Sequence, residues 1–237
     1  MDLANHPVLP VRAWNAWRAR GAHYAWHKTL RRTLGRWPGL KRKLVYGDPR
    51  TYWTLRGGVD YFQEQEGQPA RTERSRWMAE RIKRYQPTSI LEIGCGYGKQ
   101  LRELRSQLDC PLVGLDFSPT QLNVARHYLN RETDINLVLG SGMELPFADG
   151  QFDLVLTSAV ILHNPPPAAE RLRREVLRVA KRWAAHNEDT DASYNRYGYD
   201  TAAWYRDLSI PLAECWSIPI DSDPTPSQFC VAELWRP

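Results

Sequence analysis

The sequence predicts an α/β domain built on a seven-stranded, mostly parallel sheet, preceded by a basic helical arm. Three observations carry this. From residue 88, apolar runs alternate with amphipathic ones: SILEIG, PLVGLD, INLVLG, FDLVLTS and RWAAHNE read as strands, while YGKQLRELRSQL, SPTQLNVARHYLNR and PAAERLRREVLRVAKR read as helices. Such alternation gives parallel strands with crossover helices on both faces of the sheet. The tail breaks the rhythm, because AECWSIPI and SQFCVAELW flank the turn-rich DSDPTP and predict an antiparallel hairpin at the end of the sheet. Finally, residues 1–50 hold eleven Lys/Arg against two acids, a net of +9 in a chain whose total is +5. The remainder is therefore mildly acidic. Phosphate binding needs positive charge around the site, so this balance disfavours nucleic acid as a partner for the body of the protein.

In chain order, residues 1–50 form the arm and 51–237 the main domain, whose ligand-binding core begins at about residue 86. Within the arm, Trp14, Trp17, Tyr24, Leu30, Leu34 and Trp37 recur at three- and four-residue steps and predict a helix over 11–36, stopped by Gly35 and Pro38. Three readings of it stay open: aromatics packed on the domain, contact of residues 11–45 with an anionic membrane, or contact with nucleic acid. TYWTLRGGVDYF reads as a turn-rich aromatic stretch and a candidate lid through Tyr52, Trp53, Arg56 and Tyr61, followed by a helix over 69–85. Ser118 should cap the helix that follows PLVGLD, with Pro119 at its first position. No run of about 18 apolar residues is present, and the first residues lack a signal pattern, so a cytoplasmic location is expected. The four cysteines show no CxxC spacing and read as free thiols, with neither a disulfide framework nor a metal site.

The most specific segment is LEIGCGYGK, where a buried strand ends in Glu92 and the loop Gly94-Cys95-Gly96-Tyr97-Gly98 leads into a helix. Glycines let main-chain N–H groups approach a ligand closely, and the next strand ends in Asp116, 22 residues after Gly94, where a carboxylate can accept from ribose hydroxyls. The dinucleotide spacing G-x-G-x-x-G is not met, since Lys99 stands where its third glycine belongs. Glu92 also suits a cationic ligand better than a pyrophosphate.

From about residue 75 onward the sequence resembles the class I S-adenosylmethionine-dependent methyltransferases, with their Rossmann-like fold. Their E/D-x-G-x-G-x-G loop matches Glu92, Gly94, Gly96 and Gly98, and their acid after the second strand matches Asp116, with Phe117 beside the adenine. Their G-D-A-x-x-L-P-F signature appears as Gly140-Ser141-Gly142-Met143-Glu144-Leu145-Pro146-Phe147. The resemblance implies S-adenosyl-L-methionine as cofactor, held also by Cys95, Gly142, Met143 and Ser158. Ser141 departs from the pattern, being shorter and neutral where the family carries Asp.

ILHNPPPAAE raises a separate question, because amino-methyltransferases that grip a base use N-P-P followed by an aromatic residue at the end of the fourth strand. Here that strand ends near Ser158, Asn164 lies six residues on, and position 167 is proline. The stretch resembles instead the S-x-x-L-H-H-x-P segment of small-molecule members, with prolines opening a helix. His163 then stands at the pocket mouth as a candidate general base and substrate contact. The loop HNEDTDASYNRYGYDTAAWYRDL leaves the carboxyl edge of the sheet and offers His186, Glu188, Asp189, Tyr194, Asn195, Tyr197 and Tyr199. Glu188, Tyr194 and Tyr197, with Tyr61, are the expected acceptor contacts. The function expected is methyl transfer to a hydroxyl of a small-molecule or saccharide acceptor, lipid-linked if the arm meets a membrane at its inner face. The alternatives are N-methylation of a small amine, methylation of RNA, and a cofactor-binding module without catalysis.

Overall fold

The structure is a computed structural model that describes residues 9–34, 37–129, 134–217 and 227–234. Two compact units emerge: one runs to Arg56 and includes Ser193–Asn195, and the other comprises Gly57–Ala192 and the chain from Arg196 onward.

The first unit holds helices α1 (Leu9–Thr33), α2 (Pro38–Val45) and α3 (Pro49–Arg56). The expected arm helix is present but broken at Gly21, whose φ of 85° and ψ of 172° lie outside helical space. Gly35 lies outside the described residues, and Pro38 opens α2. The small core is aromatic. Tyr52 meets Tyr46 and His27 edge-on at 4.9 and 5.5 Å. His27 donates Nε2–H to the Val45 carbonyl at 2.9 Å. Of the three readings of the arm, packing of its aromatics holds for Tyr24, which is buried, and not for Trp14, Trp17 and Trp37, which are exposed. Likewise, TYWTLRGGVDYF is not turn-rich. It forms the end of α3 and the start of α4 (Val59–Glu66), separated at Gly57-Gly58, with Gly58 at φ 96°.

The second unit continues from α4 through α5 (Pro69–Lys83), β1 (Ile90–Ile93), α6 (Lys99–Arg105), β2 (Leu112–Asp116), α7 (Pro119–Tyr128) and β3 (Ile135–Leu139). There follow β4 (Phe152–Ser158), α8 (Pro166–Val179), β5 (Ala180–Asp189), α9 (Thr201–Asp207), β6 (Leu212–Ser217) and β7 (Ser227–Glu233). The seven strands form one sheet in the order β3-β2-β1-β4-β5-β7-β6. Parallel pairing runs from β3 to β5, and β7 is antiparallel to both β5 and β6. Alternation along β4 sends Leu154 and Leu156 to one apolar layer and Val155 to the other, so both faces are covered. Ser118 caps α7 as the sequence predicts, its hydroxyl accepting from the Gln121 N–H. Strand order reverses between β1 and β4, and the crevice at their carboxyl ends is where such sheets bind ligands.

One expectation fails in the hairpin. The β6–β7 register sets Cys215 opposite Cys230, and the two are joined as a disulfide. Only Cys95 and Cys110 are free. Strand register decides which cysteines meet, and sequence spacing does not reveal it.

Candidate cofactor and active site

Immediately after β1 the chain turns through Gly94, Gly96 and Gly98 at φ of 70°, 56° and 88°, all left-handed. The N–H groups of Gly94 and Cys95 both donate to the Leu115 carbonyl of β2, which folds the loop back over the sheet edge. A Cβ on Gly94 would lie 2.5 Å from Val160 Cγ2, so a side chain there would displace the segment after β4. Cys95 is buried with its sulfur over Gly114, which leaves only its main chain for a ligand. Beside the loop, α4 sets Tyr61 and Phe62 edge-on to Tyr97 at 6.2 and 5.1 Å. Tyr61 is therefore placed by the glycine loop.

Glu92 and Asp116 define the electrostatics. Glu92 is buried at the end of β1, and among the described residues no donor reaches its Oε2. Burial, reinforced by the charge of Asp116, pushes the Glu92 carboxyl up to about 8. Asp116 is also raised by burial, although its oxygens accept from Gly96 N–H at 2.9 Å and Ser118 N–H at 2.8 Å. Lys99, next to the loop in sequence, is drawn away to Glu66 at 3.1 Å. A buried carboxylate oxygen without a partner, beside a second acid, fits the ammonium and sulfonium charges of S-adenosylmethionine and would repel a pyrophosphate.

Phe117, half-buried, follows Asp116, and the segment 140–147 forms the next wall. Ser141 accepts from the Met143 N–H at 3.3 Å and bridges to Glu144, so its hydroxyl shapes the turn around Gly142. Two α8 residues that the sequence reading missed anchor this segment. Glu175 accepts from Leu145 N–H at 2.7 Å. Arg178 donates to the carbonyls of Leu145 and Phe147 at 3.1 and 2.8 Å, and it pairs with Glu175 and Asp149. Their three-residue spacing looks like an ordinary surface ion pair, which is why the role is hidden in the sequence.

Across the crevice, β4 ends at Ser158, whose hydroxyl accepts from Asn187 Nδ2 at 3.0 Å. Ala159 then takes a left-handed φ of 54° and starts the turn Ile161–His163. Glu188, expected to reach the acceptor, does something else. It is fully buried, and its carboxylate accepts the N–H groups of Val160 and Leu162, each at 3.1 Å from Oε2. Thr157 donates to Glu188 Oε1 and accepts from His186 Nδ1, both at 2.8 Å, while His186 Nε2 accepts from Tyr205 at 2.6 Å. That direction is fixed because the carboxylate only accepts, and burial keeps His186 neutral by lowering it to about 3. Burial dominates at Glu188 too, raising it to about 7. This relay pins the turn that carries His163, itself buried.

Asn164 donates to the Val160 carbonyl at 2.8 Å, so its amide is used within its own turn, and Pro166 opens α8. The structure thus gives Asn164 a local role in shaping the turn and Pro166 a helix start, with no aromatic residue at position 167. Tyr197 N–H donates to the Leu162 carbonyl and Tyr199 hydroxyl to the Asn164 carbonyl, each at 2.7 Å, closing residues 196–200 over the same turn. Asp189 is committed to Arg196 and Ser227, each at 2.6 Å. Tyr194 departs from the group: it lies in the first unit, 3.1 Å from the Tyr52 hydroxyl, with Lys41 over its ring.

Sheet order, glycine loop and acid pair together define a class I S-adenosylmethionine-dependent methyltransferase domain. Residues 90–182 match the family model described as a methyltransferase domain. Among curated relatives, ajmaline N-methyltransferase of Rauvolfia serpentina is 31% identical over 97 residues, 40% of this chain and 33% of the relative. An O-methyltransferase (rstn1) of Aspergillus nomiae is 31% identical over 127 residues, 51% of this chain and 56% of the relative. The chain thus spans a third to somewhat over half the length of these two relatives. Among solved structures, magnesium protoporphyrin IX methyltransferase from Synechocystis with bound SAM is similar at a TM-score of 0.60, over 88% of this chain and 97% of that one. Its identity of 15% makes this a likeness of fold.

Proposed function

We propose that this protein transfers a methyl group from S-adenosylmethionine to a hydroxyl of a small-molecule or saccharide acceptor. The observation that carries the cofactor half is the buried Oε2 of Glu92 beside Asp116, which no donor among the described residues reaches. When bound, S-adenosylmethionine supplies a methyl on positively charged sulfur, open to in-line attack. Glu92 takes the cationic end of the cofactor, and Asp116 faces the ribose. Segment 140–147, anchored by Arg178, walls the adenine. On the acceptor side, the Glu188-pinned turn holds His163, whose imidazole removes the hydroxyl proton as the oxygen attacks. Tyr197 and Tyr199 close the same turn and border the acceptor.

A panel of sugar nucleotides, lipid-linked saccharides, alcohols and amines, scored by S-adenosylhomocysteine release, tests the reading. For the productive hydroxyl acceptor, His163→Ala should lower kcat by roughly 10²–10⁴-fold with cofactor affinity unchanged. Full turnover in that variant removes the base role. N-methylation is the second reading, supported by the ajmaline relative. It expects turnover on amines alone, rising with pH as the acceptor amine deprotonates. Cofactor binding without turnover on any acceptor would point to a module that has lost catalysis.

A further inference from the structure

The first unit carries an exposed apolar and basic surface outside the site proposed for methyl transfer. Between Asp2 and Asp48 the sequence contains no acidic residue and ten Lys/Arg. Six of the ten exposed large apolar side chains among the described residues fall between residues 14 and 44: Trp14, Trp17, Trp26, Trp37, Leu40 and Leu44, each 46–64% exposed. Their placement is ordered. Trp37, Leu40 and Leu44 follow one another at steps of three and four, which lines them along one side of α2. The other side of α2 is engaged with its own unit: Val45 is buried, Lys41 lies 4.0 Å from the Tyr194 ring, and Arg42 donates to the Ser193 carbonyl at 2.6 Å. The apolar side is thus the one left facing outward. Exposed Lys43 lies beside it in sequence, and on α1 exposed Arg18 and Arg32 accompany Trp17 and Trp26.

We propose that this unit docks on an anionic lipid bilayer, with Trp37, Leu40 and Leu44 entering the headgroup–acyl boundary and the surrounding Lys/Arg meeting lipid phosphates. Two observations favour lipid over nucleic acid. Aliphatic Leu40 and Leu44 give a bilayer apolar area to bury but offer a base no stacking face. Tryptophan with flanking cations is also the composition that settles at membrane interfaces. Among the described residues no helix is long and apolar enough to cross a membrane, so the contact is one of surface.

The test is flotation of the full chain with vesicles of phosphatidylcholine alone and of three parts phosphatidylcholine to one part phosphatidylglycerol. Binding should require the anionic lipid and weaken with added salt. The triple variant W37S/L40S/L44S should bind anionic vesicles at least about tenfold more weakly, with melting temperature and cofactor affinity unchanged. Should that variant fail to fold, R32E/K43E reads the same surface through charge and should lose binding comparably. Equal binding by a folded variant overturns the proposal. So does full-chain affinity for RNA without affinity for vesicles, or self-association through this face in place of lipid binding.

Discussion

Glu92 and Glu188 end two strands of the same sheet, both buried and both pushed upward by burial, to about 8 and about 7. Their surroundings differ in one respect. Glu188 has both oxygens occupied, by Thr157 and by the N–H groups of Val160 and Leu162, whereas no donor among the described residues reaches Oε2 of Glu92. A satisfied buried carboxylate organises backbone; an unsatisfied one destabilises the fold until a ligand completes it. Burial and a raised pKa therefore do not by themselves mark a binding residue. The count of donors separates them: it commits Glu188 to the scaffold and leaves Glu92 with an oxygen for the proposed cofactor.

The largest effect should come from Glu92→Gln. Losing the buried charge should weaken S-adenosylmethionine by about 100-fold in calorimetry. The same change should stabilise the cofactor-free protein in alkali. The Glu92 carboxyl keeps its proton to about 8 in the fold but releases it near 4.5 when unfolded. Over that window the native state binds more protons, so stability falls as pH rises, and glutamine removes the loss. At about pH 9 the variant should melt several degrees above the parent. Cofactor affinity of the parent should in turn rise with pH up to about 8, by up to about tenfold per unit, and level off above it. A variant that melts lower and still binds cofactor normally would make Glu92 a structural group and erase the contrast.

Glu188→Ala should behave in the opposite way. It strands the N–H groups of Val160 and Leu162 in a buried turn, a cost of about 2–4 kcal/mol. The melting temperature should fall by roughly 5–15 °C. Turnover should drop because the turn carrying His163 loosens, while cofactor affinity stays within about threefold. Unchanged stability with lost cofactor binding would place Glu188 in the ligand site after all.

The sequence made the parallel sheet and the glycine loop readable because their signals are local. Glu92, the three glycines and Asp116 sit at strand ends that hydrophobic runs reveal, and the parallel order follows from strand–helix alternation. The acceptor half was less legible because its geometry is tertiary. Glu188 looked like a loop acid until β5 proved to run to Asp189, which buries it behind the turn after β4. Tyr194 and Tyr197 are three residues apart, yet they fall in different units. The Cys215–Cys230 pairing needed the hairpin register, and the choice among the arm's readings stayed open because helical periodicity gives spacing without saying which side is covered.

Arg178→Ala should give the smallest effect and the finest test of the comparison, because this residue anchors the segment 140–147 without touching Glu92 or Asp116. Its guanidinium is partly exposed, so its ion pairs with Glu175 and Asp149 are screened and add little stability. Its two bonds to the Leu145 and Phe147 carbonyls instead fix the wall expected beside the adenine. Removing them should raise the dissociation constant of S-adenosylmethionine by about threefold to tenfold, with little change in melting temperature. Arg178→Lys should recover only part of this, since one ammonium cannot reproduce the fork that spans both carbonyls and both acids. If affinity is unchanged in Arg178→Ala, the segment 140–147 holds its shape through the Ser141–Met143 turn and Glu175 alone, and selectivity for the cofactor rests on the glycine loop, Glu92 and Asp116.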